Sequence, residues 1–186
     1  MYEIGAKVVY GNSGVCEVIG YDAPKSRAID PKEKYYTLRP LYQSGTIYCP
    51  MDHPNVFIRP IITRETAEKL IDLIPEIDAE PFESSGMQET TEHYRSIIGT
   101  HKCSDLIELI KSIYSKKRAV EAKKRKFSQL DSRYMKLAED LLFGEFAVVL
   151  DIPKDSVKGY IKKRISAMEK EKKASAGAAP TAVPAT

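Results

Sequence analysis

The side chains in this 186-residue chain with the clearest chemical use are cations. Lys111–Lys136 carries ten basic side chains against two acidic ones, whereas Thr63–Thr100 carries three basic and nine acidic. The net charge of +3 conceals that asymmetry. Lys116–Lys126 reads as the basic half of a helix, and Lys123, Lys124, Arg125 and Lys126, being consecutive, spread around it. Arg133 and Lys136 open the next helix and can join the same patch. Such cations contact phosphates and give salt-dependent DNA affinity with little sequence preference. Two other readings compete. A cationic helix end is also stabilised by the macrodipole and then needs no ligand. A helix-turn-helix could use Lys154–Lys163 as its reading helix after Asp151–Pro153, but the preceding segment is too apolar to lie against DNA.

No pattern of catalytic residues accompanies these cations. A phosphate-binding glycine loop, a GxSxG elbow and an HExxH pair are all missing, and the three histidines are scattered. The acids Glu139 and Asp140 read as a sliver of solvated surface. Cys16, Cys49 and Cys103 stand singly, without a CxxC pair, so neither a disulfide framework nor a structural zinc is indicated. Cys16 and Cys49 fall in strand-like segments, as small buried residues do. His101-Lys-Cys103 could supply two metal ligands but has no second pair. The chain is therefore expected to be no enzyme and to hold no cofactor and no metal. With no long apolar run and no signal-like N-terminus, it is expected to be cytoplasmic, free of the membrane and monomeric.

The elements that would carry these residues change character near residue 62. Lys7–Tyr10 and Val15–Tyr21 alternate as strands around a turn at Gly11-Asn12-Ser13-Gly14, where Asn and Gly supply positive φ. Strand patterns recur at Lys34–Leu41, at Thr46–Cys49 (stopped by Pro50) and at Val56–Arg59 (stopped by Pro60). Five short strands in sixty residues suit a small SH3-like barrel or half-open roll, with edges left for a partner strand. From Thr63 the period becomes helical. Expected helices are Arg64–Ile74, capped by Thr63; Thr91–Ile98, stopped by Gly99; and Asp105 to about Phe127, capped by Ser104. The third carries an apolar stripe of Leu106, Ile107, Ile110, Ile113 and Tyr114. A buried helix follows to about Leu150, started by a capping box at Ser128–Asp131, and a last helix has Val157, Ile161, Ile165 and Met168 on one face. The fold expected is two-domain, β then all-α: a barrel over 1–62, a compact helical domain over 63–173 and a disordered tail over 174–186.

Ile4-Gly-Ala-Lys-Val-Val-Tyr10 and Gly14-Val-Cys-Glu-Val18 resemble the opening of the CarD/CdnL family of bacterial transcription regulators, a module also found in transcription-repair coupling factors. The similarity continues through Tyr35–Leu38, Ile47–Pro50, Val56–Arg59, His93-Tyr-Arg95, Asp105–Tyr114 and Arg133–Phe146. The resemblance implies a Tudor-like module that docks on the RNA polymerase β subunit by strand pairing, through Thr46, Ile47, Tyr48, Cys49 and Pro50, with Arg27 as a basic contact. It also implies a helical domain that meets promoter DNA at the upstream edge of the bubble and stabilises the open complex. Its DNA contacts would be Arg95, Lys123, Lys124, Arg125, Lys126, Arg133 and Lys136, along the backbone and minor groove. Family members carry a wedge Trp near the position of Thr90; this chain has none, and Met87 and Phe82 are the candidates to replace it. Tyr48 stands where relatives often have Arg. The alternatives are a nucleoid-type DNA-binding protein acting without polymerase, and a protein-interaction adaptor.

Overall fold

The computed structural model describes residues 1–22, 33–52, 54–84 and 86–176. Strands β1 (Lys7–Tyr10), β2 (Val15–Gly20), β3 (Tyr35–Pro40), β4 (Ile47–Pro50) and β5 (Ile58–Pro60) precede helices α1 (Arg64–Leu73), α2 (Met87–Ile98), α3 (Cys103–Ala122), α4 (Gln129–Leu150) and α5 (Lys154–Ala176). The β-then-α order is therefore as expected. The strands form one antiparallel sheet in the order β4-β3-β2-β1-β5. Its outer strands β4 and β5 do not pair with each other, so the sheet is open rather than a closed barrel.

Both edge strands include the proline expected to stop them, Pro50 and Pro60. The ladders explain why they are tolerated. Gly11 N donates to Phe57 O and Ile61 N to Lys7 O across β1 and β5, so Pro60, one residue out of phase, turns its missing N–H away from β1. The tight turn is a 3-10 turn over Gly11–Ser13, and its positive φ values belong to Gly11 (45°) and Gly14 (72°), not to Asn12. At Gly11 a Cβ would also lie 2.5 Å from Val56 Cγ1, which closes the position to other residues. Val8, Cys16, Val18, Tyr36, Leu38 and Cys49 make the sheet's own core.

Thr63 caps α1, accepting from Thr66 N, and Ser128 caps α4, accepting from Leu130 N, as their positions predict. Each such cap contributes about 1 kcal/mol. The capping box at Ser128 is not completed, because Asp131 turns inward. Three other boundaries moved. Helix α2 starts at Met87, a turn early, with Gly86 before it. Helix α3 starts at Cys103 with no side-chain cap; Ser104 bonds Asp105 instead. It ends at Ala122, not Phe127, because Lys124 adopts φ 55° and Arg125 N reaches back to Val120 O. Tyr114, placed on the α3 stripe, is 52% exposed, and Leu109 is buried in its stead. Helix α5 runs to Ala176, into the stretch expected to be a tail; residues 177–186 lie outside the described residues.

The helices share a second core, in which Tyr94, Phe146, Ile71, Leu109, Ile113 and Leu150 are fully enclosed. Helix α4 is its centre, packed by α1, α2, α3 and α5. The acidic stretch after α1 is tied down rather than loose: Lys111 Nζ donates to Ile74 O (2.5 Å) and to Ile77 O, and Ser112 Oγ donates to Glu80 O. No described helix is long and apolar enough to cross a membrane.

Candidate docking edge and nucleic-acid interface

The predicted polymerase-contact residues gather on β4. It pairs with β3 through Leu38↔Ile47, Thr37↔Tyr48, Tyr36↔Cys49 and Tyr35↔Pro50, and no described strand covers its other side. Met51 N donates to Lys34 O, so the alternation of an antiparallel ladder turns the backbone of Ile47 and Cys49 toward β3. Tyr48, Thr46 and the Pro50 carbonyl then face outward. Tyr48 is 40% exposed and Thr46 is exposed, so both present side chain as well as backbone. Cys49 is a correction: its side chain is fully buried in the sheet core, and it cannot touch a partner with its thiol. Arg27 lies outside the described residues.

The sheet is held to the helices, at the β5 side opposite β4, by a seam that sequence reasoning missed. Glu145, 2% exposed in the C-terminal third of α4, accepts from Arg59 of β5 at 2.5 Å (Nη1 to Oε1) and 2.7 Å (Nη2 to Oε2). The same carboxylate accepts from Ile62 N (2.9 Å) and from the Cys103 thiol (3.1 Å). Arg59 also donates from Nε and Nη2 to His101 O, and Phe57 stacks on the His101 ring at 4.6 Å. Burial and the adjoining Arg59 hold His101 below the usual histidine range, so its ring is neutral at pH 7. Burial, reinforced by the Glu145 charge, pushes the Cys103 thiol far up, so Cys103 remains a thiol. On the other flank Tyr42, between β3 and β4, donates to Gly144 O (3.3 Å), and Lys154 Nζ sits 4.9 Å over the Tyr42 ring. A usable signal for Glu145 existed: a carboxylate inside the otherwise apolar run of residues 141–150 calls for a buried partner.

The predicted DNA contacts divide into two groups. Lys123, Lys124, Arg125 and Lys126 are all exposed, but they form the α3–α4 turn rather than a helical surface. Arg133 and Lys136, one turn apart on α4, are exposed as well. Arg95 sits in the last turn of α2 with Nε donating to Tyr134 OH (3.2 Å), which places it beside Arg133. Lys116, from the same basic run, is instead spent internally. It pairs with Asp131 (3.0 Å), which also accepts from Tyr94 OH (2.8 Å) and is 2% exposed. Of the two wedge candidates, Met87 is 75% exposed at the start of α2, while Phe82 stacks on His93 at 3.7 Å. Thr90 is buried. Glu139 and Asp140 pair with Lys158 and Lys154.

Residues 2–62 match the family model for the CarD-like/TRCF RID domain, a span that starts before β1 and ends just after β5. Over that span the chain is similar to a RID domain. Domains of this kind interact with RNA polymerase through its β subunit, which connects the chain with transcription. No curated protein matches the chain. The RID match stops at Ile62, whose N–H is itself bonded to Glu145, so the seam to the helices lies against its last residue.

Proposed function

We propose that the chain is a transcription regulator whose RID domain, residues 1–62, docks on the RNA polymerase β subunit and carries a helical DNA-contacting domain, residues 63–173. The unit is read as a half-open roll of Tudor type, with β4 accepting a strand from the β subunit. The observation that carries this reading is the uncovered β4 edge within the span similar to a RID domain. Backbone groups supply the affinity of such strand addition, and the exposed Tyr48 ring supplies an anchor. The helical domain then meets promoter DNA at the upstream edge of the bubble through Arg95, Arg133, Lys136 and the 123–126 turn, and stabilises the open complex. Phosphate contacts position without reading sequence. Met87 is the apolar side chain available for wedging into the minor groove, in place of a Trp.

The test is the half-life of open complexes formed by purified polymerase, with and without the full chain and its Tyr48→Glu variant. The wild-type chain is expected to lengthen the half-life. Tyr48→Glu, which puts a carboxylate at the docking edge, is expected to remove most of that effect together with co-purification of polymerase. An unchanged half-life with wild-type chain would sink the proposal. Tight DNA binding without any polymerase contact would support the nucleoid-type alternative.

A further inference from the structure

A cleft opens between the sheet and the helices. Its volume is about 410 Å³, and it lies between the β1–β2 turn, with Asn12 on its wall, and the α2–α3 turn at Gly99 and His101. Arg95 and Arg133 both line it, and no carboxylate does. The arrangement is not a chance of exposed side chains. Tyr134, 6% exposed, accepts from Arg95 Nε at 3.2 Å, and the terminal nitrogens of Arg95 have no hydrogen-bond partner among the described residues. Neither Arg95 nor Arg133 has an ion-pair partner among the described residues, although Arg39, Arg59, Arg64 and Arg164 all have one. Arg59 ties the His101 side of the cleft to the sheet, its hydrogen bonds holding the His101 carbonyl against β5.

We propose that this cleft binds a phosphate group, clamped between the guanidinium groups of Arg95 and Arg133. Two guanidinium-bearing residues lining one space, with no carboxylate among the lining, suit a tetrahedral dianion better than a single carboxylate, which one Arg satisfies. The neutral His101 ring and Asn12 add hydrogen-bonding capacity without charge. A volume in the range of about 300–1,000 Å³ that small-ligand sites occupy leaves room for the sugar beside the phosphate, and Ile98 gives that room an apolar wall. The phosphate can belong to a DNA backbone or to a free phosphorylated molecule. In the DNA case the inference deepens the proposed function, and the β1–β2 turn becomes part of the DNA-contacting surface.

The experiment is amide NMR of the full chain titrated separately with inorganic pyrophosphate and with a random-sequence DNA duplex. Shifts are expected at Asn12, Gly99 and His101. Shifts with the duplex and not with pyrophosphate assign the phosphate to DNA. Shifts with pyrophosphate that DNA does not compete away assign it to a free phosphorylated molecule. Arg95→Gln/Arg133→Gln is expected to weaken the responding ligand about tenfold or more. Val56→Trp, which fills the cleft from the sheet side with no change of charge, is expected to do the same. No shift with either ligand, or shifts that survive both variants, overturns the proposal. None of these readouts involves polymerase, so a failed open-complex assay with intact cleft shifts would reject the proposed function alone.

Discussion

Glu145 gathers four donors onto one buried carboxylate, and that count decides how the position responds to substitution. Breaking a buried ion pair from one side costs about 3–5 kcal/mol, because the surviving charge is left without a partner. Glu145→Ala is expected to lose that much in urea unfolding, since it strands Arg59. Replacing such a pair with two apolar residues is often nearly neutral. Here Arg59→Met/Glu145→Leu is expected to recover only part of the loss, because Ile62 N–H and His101 C=O remain buried without partners. A double variant as stable as wild type would show that those backbone bonds add nothing. The pair was not legible beforehand, because the two residues stand 86 apart and only the folded chain makes them neighbours. Cys49 teaches the converse: its place on the edge strand was readable, and so was its apolar nature, but the inward direction of its side chain follows from ladder register.

At the scale of elements, two contacts make separate predictions. Gly144 lets α4 approach Tyr42 closely; a Cβ there would stand 3.2 Å from Tyr42 Cε2. Gly144→Leu is expected to expel the ring and release the loop leading into β4. Faster hydrogen exchange at residues 41–46, with Val18 and Leu38 unchanged, would report it. Helix α5 is fastened to α1 by Arg164, which pairs with Asp72 at 2.5 and 2.8 Å. The Arg164 guanidinium holds the Asp72 carboxyl below its ordinary value. A depressed carboxylate stabilises the fold above its unfolded pKa, and the contribution fades as pH falls through the lower folded value. Acid titration is therefore expected to loosen α5 only below about pH 4, and Asp72→Asn to abolish that step. For a pair one-third exposed the stake is about 1 kcal/mol or less. Helix existence was largely legible from period and caps, as Thr63 and Ser128 show. The ends were not: α3 stops where Lys124 turns left-handed, which a run of good helix formers gives no warning of.

Over the whole molecule, two separate cores are joined by a small seam of high polarity. The sheet alone is small and open, and a module of that size buries little of its surface. The full chain is expected to unfold in one calorimetric transition. Glu145→Ala is expected to split it into two, as the sheet and the helices part company. A single transition in the variant would mean that the seam does not couple the cores. The order of sheet then helices could be read from the change of hydrophobic period. The angle between the parts could not, because it depends on Arg59, Phe57 and Tyr42 meeting residues from distant helices.

Pro50 has one more effect, on the company the edge strand keeps. If two copies met antiparallel across their β4 strands, centred on Tyr48, each Thr46 carbonyl would face a Pro50 nitrogen that has no hydrogen to give. A self-made pair is thus left with acceptors unmet in both copies, while a foreign strand can shift its register to avoid the gap. Pro50 disfavours that one register of self-pairing along β4.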